Sequence, residues 1–320
     1  MNSQNKTFLV TGASGYIGSH MCYELRQTYP NCRIVGVDKT QKRKLIHLYD
    51  RFICNDLARS NFMIMDRENI DCVFHFAAYA SVPEGEDNKY MYYQNNLMSS
   101  LRLIDEVIFN NVRNFIFSST CAVYGDVKGS ISEKQPKNPQ SVYAKTKSII
   151  EDILYAAEEN NDLNVAVLRY FNAAGRNMEG NLYEEHNPET HLIPNLMTKD
   201  VVEVFGTNFD TPDGTAVRDY IHVVDICQAH IRAYEYMESK NKGITCNIGT
   251  GIGYSVLQII DLVKQIKDIK VEFHDRRRGD VDRLVSDITL MKNELTFMPR
   301  HDIVSTIKSM EKHTDGIRSC

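Results

Sequence analysis

The run KTFLVTGASGYIGSHMCYELRQ, Lys6 to Gln27, decides the fold of this chain. Its β-rich opening, Thr7 to Thr11, leads into Gly12, Gly15 and Gly18 and then into a helical pattern. Glycines at this spacing permit a tight turn and let backbone N–H groups approach a pyrophosphate at a helix N-terminus. The next β-rich stretch, CRIVGVD, ends in Asp38, twenty residues after Gly18. A carboxylate there is placed to accept hydrogen bonds from adenosine ribose hydroxyls. It also repels a 2′-phosphate, which favours NAD over NADP. Lys39, Lys42 and Arg43 follow closely and weaken that preference without reversing it.

The pattern repeats downstream. Asp71 to Ala78 (DCVFHFAA) reads as a buried strand, followed by a polar loop and a helix containing YYQNNLMSSLRLIDEVI. Asn111 to Thr120 and Leu163 to Phe171 read as two more strands. Alternating buried strands and amphipathic helices imply an α/β fold, a doubly wound parallel (Rossmann) sheet with a smaller C-terminal α/β substrate lobe. Residues 1–171 are expected to form the dinucleotide domain, with 220–248 returning to it, and 172–320 mainly the second lobe. Ligands of such sheets bind at the carboxyl ends of strands. Gly12, Asp38, Asp56, Ala77, Ser119, Thr120 and Asn172 all fall on those ends.

In QSVYAKTKSIIEDIL, Tyr143 and Lys147 are four residues apart. On a helix they share one face, so an ammonium can sit near the phenol and favour its phenolate.

Composition narrows the function classes. Net charge −5 and pI near 6.1 argue against nucleic acid as the main partner. The basic stretch Lys39–Lys44 and the distant Arg276–Arg278 are too small to change that. No apolar run reaches about 18 residues, and MNSQNKTFLV lacks a secretory apolar region, so no membrane association and a cytoplasmic location are expected. The eight cysteines form no CxxC pair, which points to reduced thiols and no structural zinc or other metal site.

TGxxGxxG, the later SST and YxxxK together resemble the extended short-chain dehydrogenase/reductase family. FSSTCAVYG, YAKTK, LRYFNAAG, TPDGTAVRDYIHVVD, NIGTGIGYSV and RRRGD are similar to the motif series of its UDP-glucose 4-epimerase branch, in order from about residue 7 to 290. The tail after Phe297 matches less well. The resemblance implies that Tyr143 is the catalytic acid/base and Lys147 its electrostatic partner, which also binds the nicotinamide ribose. Thr120 is implied to bridge the sugar O4 and the tyrosine. The implied NAD positions are Gly12, Gly15, Tyr16, Ile17, Gly18, Asp38, Asp56, Leu57, Phe76, Ala77, Ala78, Asn95, Ser118, Ser119, Tyr143, Lys147 and Tyr170. The UDP-sugar positions, besides Thr120 and Tyr143, are Phe171, Asn172, His191, Leu192, Phe205, Arg218, Tyr220, Arg277, Asp280 and Leu284. Arg218 and Arg277 can neutralise a diphosphate. Phe205 can pack on a uracil, although it also reads as strand core, and Arg218 and Asp219 also read as a surface pair. His191 stands where several members have Asn, and Ala80 where some have a lysine near the cofactor phosphates.

The activity so implied is reversible inversion at C4 of a UDP-hexose (UDP-glucose/UDP-galactose) through a transient 4-keto sugar. UDP-N-acetylglucosamine and UDP-xylose remain alternative substrates, because Leu284, which the resemblance aligns with the family's gate beside the C2 substituent, is intermediate in size. A nucleotide-sugar 4,6-dehydratase is disfavoured. That chemistry needs an extra acid/base pair to expel water, which the family supplies directly after the Ser/Thr, and here Cys121 and Ala122 follow Thr120. A non-catalytic NAD-binding regulator has no need of Thr120, Tyr143 and Lys147 together. The helices around YAKTKSIIEDILYAAEE and NNLMSSLRLIDEVIF carry apolar stripes suited to the homodimer usual in the branch.

Overall fold

The computed structural model describes residues 6–59, 68–127, 129–160, 162–177, 179, 182–184, 189, 191–277 and 280–317. The apolar runs become strands β1 (Thr7–Thr11), β2 (Arg33–Asp38), β3 (Arg51–Cys54), β4 (Cys72–His75), β5 (Asn114–Thr120) and β6 (Asn164–Tyr170). Further on lie β7 (Asn172–Ala174), β8 (Val201–Phe205), β9 (Val217–His222), β10 (Ile244–Ile248), β11 (Gly253–Ser255), β12 (Lys270–His274) and β13 (Arg283–Leu284). The helices of the first half are α1 (Tyr16–Thr28), α2 (Val82–Asp87), α3 (Lys89–Tyr92), α4 (Ser99–Phe109) and α5 (Val142–Glu159). They are followed by α6 (Leu192–Thr198), α7 (Val223–Lys240), α8 (Val256–Lys264), α9 (Thr289–Glu294) and α10 (Ile303–Ile317).

Seven strands form one sheet in the order β10-β6-β5-β4-β1-β2-β3. The pairs β1–β2, β1–β4, β2–β3 and β4–β5 are parallel. Chain order reverses between β1 and β4, the place where open α/β sheets take their ligands. Every residue of β4 and β5 is buried, as a sheet covered on both faces requires. Leu9, Val35, Val73, Phe115, Phe117 and Val165 pack there with Leu103 and Val107 of α4 and Ile150 and Leu154 of α5. Each such buried side chain contributes about 1.5–3 kcal/mol of apolar burial.

Helix α5 starts where the Ser141 hydroxyl accepts the Ala144 N–H at 3.2 Å, an N-cap. Its buried face includes two ionisable side chains, Lys147 and Glu151. The helix expected through YYQNNLMSSLRLIDEVI is one rod interrupted by a π-turn, Tyr93–Met98, between α3 and α4. Such widened turns recur at functional sites. Here the turn places Asn96 wholly inside, where its side chain accepts from Tyr79 N (2.8 Å) and donates to Tyr79 O (3.0 Å).

The chain divides into two compact units. The first holds the chain up to Val123, Pro139–Arg169 and Cys227–Cys246, and the second Tyr124–Asn138, Tyr170–Ile226 and the chain from Asn247. The returning segment is therefore shorter than the expected 220–248, and 124–138 leaves the first unit. The cause is strand pairing. β9 is hydrogen-bonded to β7, β11 and β13 instead of the central sheet, and Ile131 N donates to Val285 O at 2.9 Å. Inside the second unit Asp219 is fully buried. It accepts from Thr250 N, Thr250 Oγ1, Gly251 N, Ser286 N and Ser286 Oγ at 2.6 to 3.2 Å. It is a hub for two loops, not a surface partner of Arg218.

Among the described residues no helix is long and apolar enough to cross a membrane. Cys22, Cys32, Cys54, Cys72, Cys121, Cys227 and Cys246 are all free thiols.

Candidate active site

The glycine turn closes on itself. Gly12 has φ +67°, and a Cβ there would stand 2.8 Å from Ala77 N. A Cβ on Gly18 would stand 2.1 Å from Gly12 O, so helix and loop touch backbone to backbone. Gly15 is the N-cap of α1, with no side-chain cap and no acidic residue in the first turn, where Tyr16 and Ile17 begin the helix. The N–H groups of a helix start and its dipole suit a phosphate. One Asp38 oxygen accepts Ser14 N at 3.0 Å, fixing the carboxylate at the end of β2. These features fit the pyrophosphate and ribose of NAD. Asp56 caps its own turn, accepting Ala58 N at 3.0 Å, while Leu57 is buried in the core. Phe76, Ala77 and Ala78 follow β4 and are partly exposed; the Phe76 ring lies 4.9 Å from that of His230.

Lys39 does not stand free beside Asp38. Its Nζ donates to Tyr79 Oη (2.9 Å) and Asn95 Oδ1 (2.6 Å) and lies 4.4 Å from the Tyr79 ring centroid. Asn95 is thus turned to Lys39 and, through Nδ2 at 3.0 Å, to Asn96 Oδ1.

Lys147 is buried, with Nζ donating to Ser118 O at 2.7 Å, 5.9 Å from the Tyr143 ring centroid and 4.7 Å from that of Phe117. Burial pulls its pKa down to about 7, with the Glu151 carboxylate opposing. Ser119 Oγ donates to Glu151 Oε1 at 2.6 Å. Thr120, at the end of β5, accepts Ala122 N on Oγ1 at 3.1 Å, which leaves its own proton available to donate. Tyr170 ends β6 half-buried.

His75 lies beneath this cluster with 1% exposure. Its Nε2 is 2.8 Å from Ser100 Oγ, whose proton goes to Asn96 O, so Nε2 carries the hydrogen and Nδ1 accepts from Thr11 Oγ1 at 2.7 Å. Burial, helped by the Lys147 charge, lowers its pKa from 6.5 to about 3. As pH falls through 6.5 the unfolded chain takes up a proton that folded His75 refuses until about pH 3. Stability is therefore lost across that window, by about 1.4 kcal/mol per pH unit for one proton. His75→Asn is expected to remove one proton from the slope of unfolding free energy against pH, read from urea titrations at several pH values. Equal slopes in parent and variant would contradict this.

In the second unit the four-stranded sheet gathers several expected residues. Leu284 is in register with Arg218, and Asn172 with Tyr220. Arg218 Nη1 donates to Val217 O at 2.9 Å, and burial raises the Tyr220 phenol to about 12. Phe171 is buried. The Phe205 ring stacks 5.4 Å from His274 and carries the Arg277 guanidinium 4.7 Å from its centroid. Arg277 also pairs with Asp280 at 3.2 Å. Arg278 lies outside the described residues. His191 caps α6, before Leu192, and its Nδ1 sits 2.9 Å from Glu184 and 3.1 Å from Glu189. Burial opposes its charge, but the two carboxylates outweigh burial and raise its pKa. These three side chains hold ligand-type atoms within 4.8 Å of one another, the one such group among the described residues. The imidazolium already supplies the cation there.

Residues 8–249 match the NAD dependent epimerase/dehydratase family. The chain belongs to that family. It is 37% identical to the UDP-glucose 4-epimerase of Lactobacillus helveticus over 309 residues, covering 93% of this chain and 94% of that protein. It is 36% identical over 324 residues to a putative UDP-arabinose 4-epimerase 2 of Arabidopsis thaliana, covering 92% and 76%. Its fold is similar, at TM-score 0.92 and 31% identity over 98% of this chain and 99% of the other, to the crystal structure of UDP-glucose-4-epimerase from Stenotrophomonas maltophila with bound NAD and formylated UDP-arabinopyranose.

Within this epimerase/dehydratase frame, sequence reasoning missed Asn96, His75, Glu151 and Arg169. Arg169 was the readable signal: an arginine inside the buried strand NVAVLRY demands a buried acid.

Proposed function

We propose that this epimerase interconverts UDP-glucose and UDP-galactose by NAD-dependent inversion at C4. The observation that carries this reading is the buried Lys147 ammonium, one helical turn from Tyr143 and fixed on Ser118 O. In this reading the Gly12–Gly18 turn, Asp38, Asp56, Phe76–Ala78, Asn95 and Ser118–Ser119 hold the dinucleotide. Bound there, NAD would supply a reversible hydride acceptor for the sugar C4, so no net oxidation would result. Tyr143 removes the O4 proton at its phenolic oxygen and later gives it back, with Lys147 favouring the phenolate. Thr120 donates its hydroxyl proton toward O4.

Arg218 and Arg277 neutralise the diphosphate, Phe205 packs on the uracil, and Asp280 accepts from the ribose. Arg277 must then exchange Asp280 and the Phe205 face for the ligand. The exposed ion pair it gives up is worth only about 0.2–1 kcal/mol. Asn172, His191, Leu192, Phe171, Tyr220 and Leu284 complete the UDP-sugar set. Binding energy concentrated on UDP leaves the hexose free to turn its other face to the cofactor.

Met98, Phe109 and Ile149, exposed in the π-turn, α4 and α5, support a homodimer through that face, with light scattering as the check. A cytoplasmic location belongs to the same reading.

The test is a comparison of kcat/KM for UDP-galactose and UDP-N-acetylgalactosamine. UDP-galactose is expected to be preferred. Preference above tenfold for the acetamido sugar, about 1.4 kcal/mol, would move the assignment to an N-acetylhexosamine epimerase. A stable 4-keto-6-deoxy product would replace epimerisation altogether.

A further inference from the structure

Glu151 takes no part in the steps above, yet its side chain has no exposed surface. Its Oε1 accepts from Ser119 Oγ (2.6 Å) and Arg169 Nε (2.9 Å), and Oε2 accepts from Arg169 Nη2 (2.6 Å). The Arg169 side chain on β6 is 5% exposed and reaches Tyr155 Oη at 3.3 Å as well. A buried pair of this kind adds little net stability compared with apolar side chains of the same size, although losing one partner is costly. Its position suggests what it does instead.

Tyr143, Lys147 and Glu151 follow at intervals of four and share one face of α5. That face meets consecutive residues of β5. Lys147 holds the carbonyl of Ser118, Glu151 holds the hydroxyl of Ser119, and Thr120 comes next. Helix and strand are thus locked in register at the strand end that carries Thr120.

We propose that Glu151, clamped by Arg169, is the positioning residue that keeps the Lys147 ammonium and the Ser119–Thr120 strand end in place beside Tyr143. The inference rests on the proposed role of Tyr143 and Lys147. Lys147 is surrounded by Tyr143 and Glu151 from its own helix, by Phe117 and the Ser118 carbonyl from β5, and by neutral His75 from β4. Glu151 is the carboxylate that opposes the loss of its charge, and Arg169 supplies the countercharge that Glu151 needs.

Three variants of the full chain, Glu151→Gln, Arg169→Met and Arg169→Lys, test this. The readouts are the pH profile of kcat and the ionisation of the Tyr143 phenol, taken as a tyrosinate difference spectrum against the same protein carrying Tyr143→Phe. In Glu151→Gln the alkaline limb is expected to move down by about one pH unit or more, and the phenol to ionise about one unit higher, a tenfold change in each equilibrium. Arg169→Met is expected to shift both the same way, because a buried carboxylate without its cation takes up a proton. Arg169→Lys keeps the charge and is expected to restore most of the parent behaviour.

Unchanged limb and phenol titration in folded Glu151→Gln, even with a lower melting temperature, would reduce Glu151 to a structural group and overturn the proposal. If Glu151→Gln does not fold, the Arg169 pair decides: equal titrations in Arg169→Met and Arg169→Lys overturn it. The phenol titration uses no substrate. A parent that fails to invert UDP-galactose would therefore sink the proposed activity while this readout still stands.

Discussion

Replacing Tyr143 with Phe is expected to lower kcat for UDP-galactose inversion by about 10²- to 10⁴-fold, about 3–5 kcal/mol at the transition state. The substitution deletes one oxygen and keeps the ring against Lys147, so folding and NAD content are expected to stay at parent levels. KM is expected to change little, because UDP supplies the grip in the proposed mechanism. Cofactor content, thermal melting and initial rates on one preparation separate these effects. A variant as fast as the parent would remove the phenol from the chemistry and shift suspicion to Thr120.

The second large effect lies in the turn. Gly18→Ala forces a Cβ to within 2.1 Å of Gly12 O, and the three nearest atoms are all backbone, so none can swing away. Overpacking of this kind costs about 1–3 kcal/mol. The strain falls on the loop proposed to hold the pyrophosphate, so dinucleotide retention is expected to weaken by about 10- to 100-fold. Gly15→Ala, whose Cβ would meet Gly12 O at 3.1 Å, is expected to lose less. Measuring bound NAD after gel filtration ranks the two. An equal loss would assign the glycine requirement to close approach of the ligand instead of closure of the loop.

Features with local causes were legible. The glycine turn, Asp38 at the end of β2 and the shared face of Tyr143 and Lys147 each follow from spacing within one element. What escaped depends on distant partners. Glu151 looks like any polar helix residue until Arg169 arrives from another strand. The π-turn has no signature in YQNNLM, since it exists to carry Asn96 into the Tyr79 backbone. Residues 220–222 are expected with the dinucleotide domain, but β9 pairs with β7, β11 and β13 in the smaller sheet, a neighbour choice that local sequence does not name. The alternative of an Arg218–Asp219 surface pair fails because adjacent residues of a strand point to opposite faces. In the UDP-sugar set, Arg277 pairs with Asp280 and lies over the Phe205 ring, contacts that a motif match does not convey.

The outermost strand on one side of the central sheet is β10, Ile244–Ile248, laid against β6. A chain cut at residue 171 would therefore end with a bare, apolar β6 margin, an invitation to self-association. During synthesis the same margin stays open until some eighty further residues have emerged from the ribosome. A fragment ending at residue 171 is therefore expected to aggregate, and shielding of the nascent β6 margin becomes part of how this enzyme reaches its native state.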